Sequence, residues 1–269
     1  MSDDIDACLE GRKLYGDDFS PQELASWYAD EEEGFFELWR KGPERRPYGA
    51  YALNAYHGLR HLRGMSFEHV LGIGSSYGDE LLPLAPRTGR FTILEPSSVY
   101  RSGLLGGRPV NYVKPEISGL LPFSDASFDL LVCFSALHHI PNVSTVVKEC
   151  SRCLKPGARA LIREPAVSMG DWRRPRRGLT KNERGIPAAL FGDIVTKAGF
   201  RIIRASHCSF SLLPRLQPMF AKPVYNYRSM VVIDHLLSRL FSWNDCYHPT
   251  NIFQKIRPVA MFYVLEKSA

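Results

Sequence analysis

Two adjacent histidines are the residues of this sequence best suited to acid–base chemistry. His138 and His139 follow an apolar run at 129–134, so they stand just beyond the end of a predicted strand. Imidazole exchanges protons near neutral pH, and an open α/β sheet binds its ligand at the carboxyl ends of its strands. At least one histidine is therefore a candidate general base. The alternative is that one ring packs structurally and the other is solvated.

A glycine-containing turn and an acidic residue provide candidate ligand-binding groups. In VLGIGSSYGDE, residues 70–80, Gly74 and Gly78 follow an apolar run. Glycine lets the backbone turn tightly and approach a ligand closely, although such turns also occur without a ligand. Glu95 ends the next apolar run, 17 residues after Gly78. In a doubly wound sheet, a carboxylate there can accept both hydroxyl hydrogens of a ribose.

Several arginines are candidates for binding an anionic group. Arg163 ends the apolar run 158–163 and is expected at the same edge of the sheet. The segment 171–184 holds six bases and two acids, with Arg173, Arg174 and Arg176 among the bases. Guanidinium groups pair well with phosphate and carboxylate. We predict that these arginines contact the substrate; a solvated basic loop is the alternative.

Aromatic residues ahead of the first strand form another candidate substrate surface. Tyr56 and His57 lie in the predicted helix 48–63, close in sequence to the glycine turn. Aromatic spacing on a buried helix face looks the same, so a core role is the alternative.

Short apolar runs alternating with helical segments position these residues. This alternation predicts a mostly parallel sheet covered by helices on both faces. Ser20 before Pro21 marks a helix start, and Gly199 marks a helix end. We predict strands at 69–73, 91–95, 110–113, 129–134, 158–163, 200–206 and 259–266, and helices at 21–41, 48–63, after Gly78, at 186–198 and at 229–242.

Four motifs in order give the chain a family resemblance. LEPS (94–97), LPF with FD five residues later (121–129), ALHHIPN (136–142) and LKPG (154–157) are each weak alone and jointly specific. The chain resembles a class I S-adenosylmethionine-dependent methyltransferase of the small-molecule, methyltransferase-11-like type. The resemblance is clear over residues 48–165. It is looser from there to residue 206 and over the last predicted strand.

The resemblance implies a fold, a cofactor and an activity. The fold is a Rossmann-like, seven-strand, mostly parallel sheet with helices on both faces, an N-terminal helical cap at 1–64, and a domain at 65–269 with a helical insertion at about 211–258. The cofactor is S-adenosylmethionine, whose methyl group moves to an oxygen or nitrogen of an acceptor. The arginines of segment 171–184 favour an acceptor that is a polar small molecule with an anionic group, such as a sugar or glycan precursor. The implied cofactor-binding residues are Gly72, Gly74, Ser75, Gly78, Glu95, Ile117, Ser118, Phe134, Ser135 and Ala136.

Departures from the family pattern keep other functions open. Gly72 stands where the family often has an acid, Ser76 replaces the middle glycine, and Ile117 stands where an adenine-binding acid is expected. These changes favour a non-catalytic binding relative. A nicotinamide dehydrogenase shares the general fold, but HHIPN and LKPG fit it poorly. The basic charge favours a nucleic-acid methyltransferase, although no RNA-binding module is visible.

The charge of the chain is divided unevenly along its 269 residues. The net charge is +6, yet residues 1–50 hold 13 acids and 6 bases. Residues 155–184 hold nine bases and three acids. Much of the basic excess therefore lies in the segment that we predict to contact the substrate. Hydrophobic residues at 45% exclude a disordered or fibrous chain.

The remaining features concern cysteines, metals and location. Six cysteines are too sparse for a disulfide framework, and Cys150 and Cys153 form a lone C-x-x-C that we expect to pack rather than bind metal. We expect no metal site, because no histidine and carboxylate residues have ligand spacing. An acidic start without an apolar core and the lack of a long apolar stretch predict a cytoplasmic protein.

Overall fold

A computed structural model describes residues 2–40 and 47–268, with only the backbone described for 2–3 and 35–40. The predicted helix 21–41 is the helix Pro21–Arg40, so Lys41 lies outside the described residues. Ser20 begins this helix as predicted: its N–H and hydroxyl both donate to the carboxylate of Glu23. None of the described helices has the length and apolar character needed to cross a bilayer.

An eight-stranded sheet forms the centre of the molecule. Its order is β3-β4-β2-β1-β5-β6-β8-β7, and all strands except β3 and β8 run parallel to one another. All seven predicted strands are present; the eighth is the two-residue β3, too short to leave a sequence signal. The strands are β1 Phe67–Ile73, β2 Thr88–Leu94, β3 Leu104–Leu105, β4 Arg108–Val113, β5 Phe128–Phe134, β6 Leu154–Pro165, β7 Phe200–Phe210 and β8 Pro258–Lys267.

Helices cover the sheet largely as predicted, with one clear difference. The segment after Gly78 is a 3-10 helix, Asp79–Arg87, rather than an α-helix. Pro83 and Pro86 lie inside it and lack the N–H groups that an α-helix needs. The α-helices are α1 Ser2–Leu9, α2 Pro21–Arg40, α3 Tyr51–His57, α4 Val143–Cys153, α5 Ala188–Lys197 and α6 Arg228–Leu240; a 3-10 turn, Leu59–Leu62, completes the predicted helix 48–63.

Apolar side chains form a core on each face of the sheet. One core contains Leu71, Leu131 and the apolar side of α4, and the other contains Leu53, Val70 and Phe262. Cys150 and Cys153 are both buried in the first core, and burial raises the pKa of each thiol. These cysteines therefore pack as small apolar residues. The division of the chain after residue 64 stays a prediction.

Candidate active site

The glycine turn lies at the carboxyl edge of the sheet, between β1 and the 3-10 helix. Gly74 has φ +60°, and a Cβ there would lie 2.6 Å from the Cβ of Ala136. Gly78 has φ +76°, and a Cβ there would lie 2.8 Å from Leu105. Both positions therefore need glycine. The turn thus lies against Ala136, just beyond the end of β5, and the cofactor-binding roles of Gly74, Gly78 and Ala136 stay predictions.

Glu95 lies directly beside this turn. Its side chain is buried, and its two oxygens accept hydrogen bonds from the backbone N–H groups of Ser76 at 3.0 Å and Ser97 at 3.2 Å. Burial raises the pKa of Glu95, and these two hydrogen bonds oppose that effect. Each oxygen keeps lone-pair capacity beyond one N–H donor, so the carboxylate can also accept from two hydroxyls.

A second buried carboxylate at the turn, Glu80, was missed by sequence reasoning. The hydroxyl of Ser75 donates to Glu80 Oε1 at 2.7 Å, and burial raises the pKa of Glu80 to about 7. A Cβ at Gly72 would lie 2.6 Å from Ser75 Oγ. The Ser75–Glu80 pair thus occupies the space beside Gly72, where the family often has an acid. Only the acidic pair after Gly78 hinted at it in the sequence.

The predicted adenine-binding loop precedes β5. Ile117 is exposed, and the carbonyl of Ser118 accepts a hydrogen bond from Asn142 Nδ2 at 2.8 Å. Ser118 Oγ lies 3.2 Å from a carboxylate oxygen of Glu116. The loop is therefore tied to α4 through Asn142, and the carbonyl of Ser118 is already engaged within the protein.

Arg163 connects the ends of β5 and β6 to α3. Its guanidinium donates to Asn54 Oδ1 at 2.7 Å and to Ser135 Oγ at 3.3 Å, and it lies 5.4 Å from the centre of the Phe134 ring. Ser135 is exposed and has φ +59°. The structure therefore brings Phe134, Ser135 and Arg163 together next to Ala136, with Asn54 as an unpredicted neighbour.

His138 is buried between two carboxylates. Its Nδ1 lies 2.8 Å from Glu164 Oε2, and its Nε2 lies 3.5 Å from Glu183 Oε1. Burial disfavours the charged imidazole, but the two carboxylates outweigh it and raise the pKa of His138 to about 9. A histidine that is protonated at neutral pH cannot accept a proton. This arrangement therefore disfavours a general-base role for His138, and that role stays a prediction.

His139 is half-buried and is oriented by a different acid. Its Nδ1 lies 2.9 Å from Glu31 Oε2, and its carbonyl accepts a hydrogen bond from Trp27 Nε1 at 2.8 Å. A carboxylate at Nδ1 favours the tautomer with the proton on that nitrogen. The general-base role of His139 stays a hypothesis, and Glu31 is its positioning partner.

The two histidines also form part of an unexpected cluster. His138, His139 and Glu183 each offer a ligand atom within 4.8 Å of the others. Sequence spacing could not reveal this cluster, because the fold joins segments that are distant in the sequence, and the expectation of no metal site stays a prediction. Both nitrogens of His138 face carboxylates of Glu164 and Glu183, so the ion pairs already account for the orientation of this ring.

The basic loop 171–184 contacts the protein itself rather than an open substrate mouth. Arg173 forms a two-point ion pair with Asp171, and Arg174 is exposed beside the same acid. Arg176 donates to the backbone carbonyls of Met169, Thr180, Lys181 and Glu183 at 2.6–3.3 Å. These donors of Arg176 hold the loop together, which disfavours the predicted substrate contact; that contact stays a prediction.

Arg184 has a similar internal role that the sequence did not reveal. It is fully buried, and its guanidinium donates to the carbonyls of Tyr15, His138, Ile140 and Pro141. These bonds connect the basic loop to Tyr15 in the N-terminal part of the chain and to the turn that contains His138 and His139. The loop is thus a structural connection, and its bases do not line a single open surface.

The two aromatic candidates on α3 also differ from the prediction. His57 is fully buried, its Nδ1 lies 2.9 Å from Ser206 Oγ, and its ring stacks on Phe262. Burial, assisted by nearby positive charge, lowers the pKa of His57 to about 3. His57 is thus a neutral core residue, which disfavours the predicted substrate contact; that contact stays a prediction. Tyr56 packs against Arg60 and His235, away from the Asn54–Arg163 contact.

The sequence is similar to known methyltransferases over the segment that contains the glycine turn, Glu95 and the two histidines. Residues 71–162 match the model of a methyltransferase domain family. The ubiquinone biosynthesis O-methyltransferase of Idiomarina loihiensis is 33% identical over 117 residues, 42% of this chain and 48% of the relative. The chain spans about half the length, or less, of the curated relatives that it matches.

Solved structures show the same fold at low sequence identity. One is a Bacillus halodurans structure described as a methyltransferase. It matches with a TM-score of 0.53 and 19% identity, and the match covers 78% of this chain and 97% of the Bacillus chain. A structure from Galdieria sulphuraria, described as a sarcosine dimethylglycine methyltransferase, matches with a TM-score of 0.55 and 16% identity over 90% and 98% of the two chains. Residues 71–162 are thus similar to a methyltransferase domain, and the chain shares its fold with these solved structures.

Proposed function

We propose that the protein transfers the methyl group of S-adenosylmethionine to a hydroxyl oxygen of a polar small molecule. The observation that carries the proposal is the contact between the glycine turn and the end of β5, with buried Glu95 beside it. The name of the Idiomarina relative supports an oxygen acceptor. The sequence identity to that relative is too low to transfer its substrate.

The residues at the turn fit the chemistry of the cofactor. Glu95 offers two carboxylate oxygens to a ribose diol, and the glycines leave room for close backbone approach. Glu80, held by the hydroxyl of Ser75, offers a carboxyl group that a positively charged amino group would favour in its ionised form. When bound, the cofactor supplies a methyl group on a positively charged sulfur, so the protein has to align the acceptor and exclude water.

The acceptor side of the site is proposed to lie around Arg163. Its neighbours Asn54 and Ser135 supply hydrogen-bonding groups, and the ring of Phe134 supplies an apolar wall. A guanidinium here favours an acceptor that carries a carboxylate or phosphate, and a sugar acid is one such compound. In this proposal Arg163, rather than the arginines of the 171–184 loop, gives the site its preference for an anionic acceptor.

A labelled methyl-transfer screen tests the proposal. S-Adenosylmethionine with a labelled methyl group is incubated with phenols, sugars and sugar acids, using the wild-type protein, Glu95→Ala and Glu68→Ala. Glu68 lies at the opposite end of β1 and is exposed, so it is the matched control. We expect label transfer by the wild type and Glu68→Ala and at least a tenfold loss in Glu95→Ala.

The acceptor preference is tested with the compound that the screen identifies. Arg163→Met is expected to raise the KM for an acidic acceptor more than for its uncharged amide. Binding of S-adenosylhomocysteine without methyl transfer to any hydroxyl compound would instead support a non-catalytic relative and would overturn the proposed activity.

A further inference from the structure

The segment between β7 and β8 forms a compact unit of its own. Residues 211–257 enclose a small core in which Leu213, Val224 and Met230 pack with Phe210 at the end of β7. The unit is joined to helix α3, where the N–H of Tyr51 donates to Asn226 Oδ1 at 2.7 Å. The unit is thus fixed to the body of the protein, and its outer surface faces solvent.

The helix α6 in this unit is apolar on both sides. Its inner side buries Met230 and Val231 and holds the carboxylate of Asp234 on the N–H groups of Ser209 and Phe210. Its outer side repeats large apolar residues at helical spacing. These residues are Val232, Ile233, Leu236 and Leu240, of which Leu236 is 61% exposed.

The apolar surface continues beyond the end of α6. Trp243 is 77% exposed and stacks on Phe241, and the next residue, Asn244, donates through Nδ2 to the carbonyls of Phe253 and Ile256 at 2.9 and 3.0 Å. These bonds hold the backbone of Phe253, whose side chain is also exposed, close to Asn244, the residue after Trp243. Soluble monomers rarely expose so many large apolar residues together, and such patches mark partner or membrane contacts.

The same unit carries several exposed basic residues. Arg239 lies on α6 between Leu236 and Leu240, and Lys255 follows Phe253. Within the described part of the chain, neither has a carboxylate within ion-pair distance, and the same holds for the exposed bases Arg215, Lys222 and Arg228. The unit has two acids: Asp234 is buried, and Asp245 is exposed. The exposed charge of the unit is therefore strongly positive.

We propose that this surface, defined by Val232, Ile233, Leu236, Leu240, Trp243, Phe253 and the five bases, docks on an anionic lipid membrane. Aromatic and aliphatic side chains on one face with bases beside them are the combination that binds to a bilayer interface. A second copy of the chain is a poorer occupant, because a self-complementary contact would bring its unpaired bases close to one another. The proposal does not depend on methyl transfer.

Vesicle flotation of the full-length protein tests this proposal. The vesicles are phosphatidylcholine alone or phosphatidylcholine with phosphatidylglycerol. The wild type is expected to float with the anionic vesicles, less so at high salt. Leu236→Glu and Trp243→Glu are each expected to lower the partition coefficient about tenfold or more, and Arg239→Gln about fivefold.

Leu104→Glu is the matched control. Leu104 is 62% exposed, close to the value for Leu236, but it lies on β3 at the opposite edge of the sheet. Its variant should bind like the wild type, and circular dichroism verifies that all variants fold. Failure of the wild type to bind anionic vesicles overturns the proposal, as does equal binding by Leu236→Glu. A wild-type dimer that Leu236→Glu dissociates, without vesicle binding, assigns the surface to a second copy instead.

Discussion

At the scale of single residues, the two adjacent histidines have opposite surroundings. His138 is enclosed by Glu164 and Glu183, whereas His139 is half-buried and contacts Glu31. The sequence placed both beyond β5 but did not distinguish them, because the three carboxylates come from distant segments. Their different roles depend on tertiary contacts that a local pattern does not contain.

The pH dependence of stability tests the state of His138. Its pKa rises from an ordinary 6.5 to about 9 in the folded protein. Its ion pairs therefore stabilise the fold fully below pH 6.5, and this contribution is lost as the pH rises through 9. The free energy of unfolding should differ between the wild type and His138→Gln by up to about 3 kcal/mol at pH 6. The difference should narrow by pH 9.5; a gap that stays constant with pH would contradict the ion-pair assignment.

The catalytic hypothesis for His139 makes a separate kinetic prediction. His139→Ala should lower kcat for a hydroxyl acceptor about a hundredfold or more, because the acceptor loses its base. The affinity for S-adenosylhomocysteine should stay unchanged. Glu31→Gln should give a smaller loss and a shifted pH–rate profile, since Glu31 acts through His139. An unchanged kcat in His139→Ala would remove this residue from the mechanism.

At the scale of elements, the basic loop 171–184 is the largest difference from the sequence prediction. Its length and charge suggested a substrate mouth. In the structure, Arg176 and Arg184 satisfy backbone carbonyls, Lys181 pairs with Asp30 at 2.7 Å, and Trp172 stacks on Tyr15. Composition shows that a segment is basic but does not show whether its donors point inward.

Two arginine variants separate the structural bases of this loop from the solvated ones. Arg184→Met should lower the free energy of unfolding by about 3 kcal/mol or more, because buried carbonyls lose their donors. Arg174→Met should change it by less than about 0.5 kcal/mol, since the Arg174 side chain is 85% exposed. Urea denaturation measures both. Equal effects of the two substitutions would contradict the structural role of the loop.

At the scale of the whole molecule, the two charged segments of the sequence meet each other. Glu31 and Asp30 of the acidic N-terminal part contact Thr180 and Lys181 of the basic loop. The overall charge of +6 therefore says little about a partner. A better indication of where an anionic surface would bind is the 211–257 unit, whose five exposed bases have no ion pair within the described part of the chain.

The sheet was largely predictable, and the site was predictable in part. Each buried strand is an apolar run bounded by turns, and the glycine turn and Glu95 lie at strand ends whose position follows from the fold class. Glu80, Asn54 and Arg184 were not predictable, because their roles depend on which distant segments face them. The short strand β3 and the 3-10 form of the helix after Gly78 were also not predicted, because neither leaves a clear pattern in the local sequence.

The calorimetric affinity of the protein for S-adenosylhomocysteine is the most direct test of the proposed function. The wild type and Glu68→Ala should bind with the same Kd. Glu95→Ala should bind about thirtyfold more weakly, the equivalent of about 2 kcal/mol for hydrogen bonds to a buried carboxylate. Absence of binding by the wild type, or equal affinity in Glu95→Ala, would contradict the assignment of the cofactor to the glycine turn.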